Sequence, residues 1–119
     1  MQIDLTKVSY EGRVFDFGDA KLTIRPYPKS RVDIIIKDGA MVLSGASALD
    51  MFIYCLTKWE NVPDANGNPL KLSVDIKQKI YDFHMGVITD EKGEKICMSD
   101  FVIRTARGMS EENAAETKN

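Results

Sequence analysis

Between Ser47 and Phe83 the chain carries its densest apolar helical pattern, its single tryptophan, a proline-flanked turn and a second capped helix, and this stretch constrains the fold more than any other. Within Ala48 to Trp59, residues Leu49, Phe52, Ile53 and Leu56 fall at the i, i+3, i+4, i+7 spacing of one helical face, and Met51, Cys55 and Trp59 widen it. Only Asp50, Thr57 and Lys58 are plainly polar. A helix that is apolar over most of its circumference has to be covered on more than one side, and a chain of 119 residues has few other elements for that task. The pattern therefore predicts a small module whose central helix meets other protein, either a partner or a second copy.

The length supports one domain with one core, without room for a separate catalytic domain. A charged fraction of 29% and a hydrophobic content of 44% are ordinary for a globular chain, so wholesale disorder and fibrous classes are excluded. A net charge of −2 argues against nucleic acid as the main partner, because phosphate binding needs a cationic face. Lys21, Arg25, Lys29, Arg31 and Lys37 come nearest to a basic cluster, but Asp33 and Asp38 interrupt it and a solvated surface explains it better. Cys55 and Cys97 are too few for a disulfide framework, and the sequence shows neither a signal-peptide pattern nor an apolar run near the roughly 20 residues of a membrane span. A cytosolic location is expected, without insertion into a membrane.

Val8 to Tyr10, Arg13 to Phe17 and Lys21 to Arg25 are short β-branched and aromatic runs separated by Glu11-Gly12 and Gly18-Asp19, which predicts a three-stranded antiparallel meander over residues 1–25. Pro26 and Pro28 end it. Ser30 to Lys37 fits helical spacing and strand propensity alike and is taken as helix, followed by a short extended connector at Met41 to Leu43. Ser47 with Asp50 is the expected N-cap of the central helix, which should end near Trp59. The run from Glu60 to Pro69 contains Asn66-Gly67 and reverses the chain, and Ser73 caps a helix on which Ile76, Ile80 and Phe83 share a face while Lys77, Gln78, Lys79 and Asp82 face water. Asp90 to Lys95 reads as a solvated loop or a weak helix start, Ser99 to Arg107 as a last short helix, and 108–119 as a disordered tail. The expected class is α+β: a small N-terminal antiparallel β-meander, then three to four helices over residues 30–107.

Little in the chain points to catalysis. His84 is the only histidine, so no two-histidine metal site exists within one protomer, and its place at a helix end suits an imidazole that answers the last carbonyls. Cys55 on an apolar helix face behaves as a small hydrophobe rather than a nucleophile. The Asp64-Ala65-Asn66-Gly67-Asn68 loop has its glycine fourth and lacks a closing glutamate, so it reads as a turn rather than an EF-hand. No glycine spacing matches a phosphate-binding loop. No enzymatic activity, metal or cofactor is expected. Phe52, Tyr54 and Trp59 fit a binding stripe and a core equally well, and Trp59 also suits a role in pinning the adjacent turn.

Taken together, Lys21-Leu22-Thr23-Ile24-Arg25-Pro26, the run Met51 to Val62 that holds Trp59, the acidic-polar-glycine turn Asp64 to Leu70, the capped helix Ser73 to Phe83 and the polar end Glu116-Thr117-Lys118-Asn119 resemble the tail assembly chaperones of long-tailed, siphovirus-type bacteriophages. The likeness covers about Lys21 to Phe83 and includes no catalytic signature. It implies a non-catalytic protein of the host cytoplasm that coats the tape measure protein, recruits tail tube subunits, self-associates as a homo-oligomer and is absent from the mature virion. Some members of that family have a longer frameshifted partner. On this reading Leu49, Phe52, Ile53, Leu56 and Trp59 form the partner-binding face. Two other classes compete: a structural virion component such as a head–tail connector or minor tail protein, and a small enzyme or metal-binding regulator built on His84, Cys55 and Cys97.

Overall fold

A computed structural model describes residues 1–3, 11–28, 31 and 44–117, with the backbone alone at 44–47 and 110–117. Strands β1 (Arg13–Phe17) and β2 (Ala20–Ile24) form a hairpin around Gly18-Asp19, helix α1 (Ser44–Cys55) follows, and β3 (Leu56–Glu60) returns to the sheet. Helix α2 (Val74–Asp82), the short strands β4 (Val87–Thr89) and β5 (Lys95–Cys97), and helix α3 (Met98–Thr117) complete the order. The class is α+β, with a three-stranded antiparallel sheet β1-β2-β3, a separate β4-β5 hairpin and three helices among the described residues. The expected strand Val8–Tyr10, the connector Met41–Leu43 and, apart from Arg31, the helix Ser30–Lys37 lie outside the described residues.

The third strand of the sheet comes from the segment expected to be the end of the central helix. Residues Leu56–Glu60 pair with β2 in the register Lys21↔Glu60, Leu22↔Trp59, Thr23↔Lys58 and Ile24↔Leu56, so Thr57 is an extra residue on β3. That bulge puts Leu56 and Trp59, three residues apart, opposite the inward-facing Ile24 and Leu22, and three residues is also the helical spacing. The Thr57 hydroxyl donates to the Thr23 carbonyl at 3.2 Å and holds the bulge.

α1 stops at Cys55 because donors from outside the helix take its last carbonyls. The Arg25 backbone N–H donates to Cys55 O at 2.9 Å, Arg25 Nε to Tyr54 O at 2.8 Å, and Lys77 Nζ to Ile53 O at 2.9 Å and to Leu56 O. These are carbonyls that a helix end leaves without intrahelical partners, and cations there also face the negative end of the helix dipole. Lys77 therefore does not face water as its helix pattern suggests; it is 9% exposed, and burial pulls its ammonium below the ordinary lysine range. The helix starts at Ser44 rather than after Ser47, and Asp50 is not part of a capping box, since its carboxylate binds Tyr27 and Arg31.

The core joins Phe17, Leu22 and Ile24 of the sheet to Phe52, Cys55, Leu56, Ile80 and the α3 stripe Met98, Val102, Ala106 and Met109. Phe52 stacks near Tyr81 with centroids 6.4 Å apart, and Phe17 meets Phe101 at 5.1 Å. Ser73 caps α2 as expected, its hydroxyl accepting from the Ile76 N–H at 3.2 Å. α3 runs on to Thr117 instead of ending at Arg107, so residues 108–117 are helical where composition predicts a disordered tail; Ala106 and Met109 anchor that extension in the core. Of the run Asp90 to Lys95, residues 90–94 are the turn of the β4-β5 hairpin and Lys95 opens β5. That turn repeats the Asp64–Asn68 turn bond for bond. In each, the aspartate Oδ1 accepts two backbone N–H groups, from Asn66 and Asn68 or from Lys92 and Glu94, and a glycine near φ +80° takes the left-handed position.

Truncating Phe52 to alanine should cost about 3–5 kcal/mol in urea unfolding, and Phe52→Asp should leave no folded monomer by circular dichroism. Lys77→Met keeps the stem but strands two helix-end carbonyls, and should lower stability by about 1–3 kcal/mol in the same measurement.

Candidate protein-binding site

No residue from Ala48 to Thr57 is fully exposed, so α1 from Ala48 onward is partly or wholly covered by its own chain. Of the five residues expected on the partner face, Phe52 and Leu56 have no exposed surface and belong to the core, while Leu49, Ile53 and Trp59 are half-buried. The five do not form one outward surface. The cause is the end of the helix at Cys55: α2, α3 and the sheet close over its apolar sides. Trp59 does pin the neighbouring loop, its Nε1–H donating to Leu70 O at 2.8 Å, and the Pro63↔Pro69 bridge and the Leu70 N–H to Val62 O bond at 2.9 Å close that loop.

The apolar surface that remains lies elsewhere. Phe83, Met85 and Val87, three large side chains within five residues, are 72%, 52% and 51% exposed where the chain leaves α2 and enters β4. Phe83 does not share the buried face of Ile76 and Ile80, because α2 ends at Asp82 and the chain turns at Phe83, which caps the helix. His84 follows with φ +50° and Gly86 with φ +72°, and these left-handed positions break the helical register. The Phe83 N–H donates to Lys79 O and the Met85 N–H to Ile80 O, both at 3.0 Å, so a bonded turn presents these side chains. Spacing alone does not reveal this surface, since Phe83 completes a helical stripe on paper.

The groups considered for chemistry are dispersed. Cys55 is fully buried and its thiol is pushed up to about 12 by desolvation, which keeps it protonated and unreactive. Cys97 Sγ at the end of β5 lies 3.5 Å from Ser99 Oγ in the first turn of α3, His84 is exposed, and Asp64 spends its Oδ1 on the turn backbone. Among the described residues no three of His, Cys, Asp and Glu come together as a metal site.

One polar cluster is dense, and it fastens the chain before α1 to the helix. Asp50 accepts from Tyr27 OH at 2.5 Å and from Arg31 Nε and Nη2 at 2.6 and 2.7 Å. The guanidinium carbons of Arg25 and Arg31 lie 3.7 Å and 4.5 Å from the Tyr54 ring centroid, with Tyr27 edge-on at 5.8 Å. The Arg31 fork holds the Asp50 carboxyl below the ordinary carboxylate range, and burial with the Asp50 hydrogen bond raises the Tyr27 hydroxyl. A carboxylate whose folded pKa lies below its unfolded value stabilises the fold above the unfolded value, and that stability is lost as pH falls from there through the folded value. Urea midpoints should therefore drop on acidification below about pH 5, and Asp50→Asn should lower the midpoint at pH 7 while flattening that acid limb.

In comparison with known proteins, no protein-family model matches this chain, and neither a curated protein nor a solved structure matches it.

Proposed function

We propose that this protein is a tail assembly chaperone of a long-tailed bacteriophage: a non-catalytic protein that holds the tape measure protein, recruits tail tube subunits and self-associates in the host cytoplasm. The family is suggested by the residues between Lys21 and Phe83. Within the chain those residues interlock, with Trp59 tied to Leu70 and Lys77 tied to the end of α1. The observation that carries a protein-binding role is the exposed run Phe83, Met85 and Val87, held on a bonded turn beside the α2 terminus. Large apolar side chains grouped on a surface mark contact with other protein, and the amphipathic helices of a long tape measure chain would present apolar stripes to them. Three side chains make a modest contact, which suits a holder that tube subunits later displace.

Co-expression with the tape measure protein followed by co-purification tests the assignment. Capture should be lost in Phe83→Ser/Met85→Ser, and because both positions are exposed, stability should change by no more than about 0.5 kcal/mol per substitution. Recovery of the chain in purified, tail-complete particles would instead identify a structural virion component.

A further inference from the structure

A groove of about 520 Å³ borders β3. Its floor is Val14, Lys21 and Thr23, one wall is the β3 run Thr57 to Glu60, and the other is Leu70 to Leu72. Among the described residues β3 is an edge strand, bonded to β2 alone, so part of its backbone polar groups turn away from the sheet. Near it, the backbones of Lys71 and Leu72 make no hydrogen bond among the described residues. A strand edge and a second backbone segment, both with spare donors and acceptors, thus border one gap.

The charge of the gap is also uneven. Three lysines and one glutamate line it, in a chain whose net charge is −2. Lys21 is held by Asp16 at 2.8 Å, whereas Lys58 and Lys71 form no ion pair among the described residues. Trp59, Leu70 and Leu72 supply apolar surface between those two cations. Two free lysines neutralise too few phosphates for a nucleic-acid strand, while spare backbone groups on both walls suit an added β-strand. We infer that this groove takes an extended acidic segment of a partner protein by strand addition: its backbone pairs with the open edge of β3 and with Lys71–Leu72, and its carboxylates answer Lys58 and Lys71. The site is separate from the Phe83 surface and stands whether or not the chain serves tail assembly.

Trp59 is the only tryptophan and lines the groove, so its emission reports occupancy directly. The probe is a capped octapeptide of alternating glutamate and valine, compared with a lysine–valine octapeptide and a single-stranded thymidine octamer. The acidic peptide should shift Trp59 emission saturably and slow amide exchange at 57–60 and 71–72. The Lys58→Glu/Lys71→Glu chain should bind it at least tenfold more weakly, with Lys58→Gln/Lys71→Gln used if the first variant loses its circular dichroism signature. A missing response, an equal response to the lysine peptide, undiminished binding by the variant or binding without slowed exchange would each overturn the inference. A stronger response to the thymidine octamer would assign the groove to nucleic acid instead.

Discussion

The rest of the structure depends on how α1 ends. Arg25, coming from the sheet, and Lys77, coming from α2, together occupy the carbonyls of Ile53, Tyr54, Cys55 and Leu56. A helix that continued would keep Trp59 on the stripe of Phe52 and Leu56 and leave β2 paired with β1 alone among the described strands. Ending it at Cys55 lets the next residue enter the sheet with no intervening loop. The burial cost of the Lys77 ammonium is the counterpart of that junction, because a buried cation is tolerated only where its protons find acceptors.

That junction also moves the surface available to partners. An apolar helix of 12 residues offers much less to a second protein than one reaching Trp59 would, and its own chain suffices to cover it. Apolar exposure is concentrated instead after α2, where left-handed His84 and Gly86 turn Phe83, Met85 and Val87 outward. A small protein with one core cluster thus keeps exposed apolar groups on a short connecting segment, and the proposed engagement and release of a partner there would need no repacking of the interior.

What the sequence made legible was local. The β1-β2 hairpin followed from alternation around Gly18-Asp19, the Ser73 cap from its own residues, and the Asp64–Asn68 reversal from its asparagine and glycine. The Asp90–Glu94 turn carries the same aspartate and glycine spacing, a signal that the first loop could have taught. β3 was hidden because a bulge at Thr57 gives a strand the three-residue spacing of a helix. The helix stop at Cys55 was hidden because its donors lie 30 residues before it and more than 20 after it, with no glycine or asparagine at the junction to announce it. Of the partner face expected on Leu49, Phe52, Ile53, Leu56 and Trp59, these two features put Phe52 and Leu56 in the core.

The two cations at the end of α1 differ in when they exist. Arg25 precedes the helix in the order of synthesis and Lys77 follows it, reaching back 24 residues to Ile53. A nascent chain emerging from the ribosome therefore holds half of the helix stop before the other half has been made. Until α2 emerges, the choice of Leu56–Glu60 between helix and strand rests on Arg25 and on pairing with β2, and the translation of Lys77 completes it.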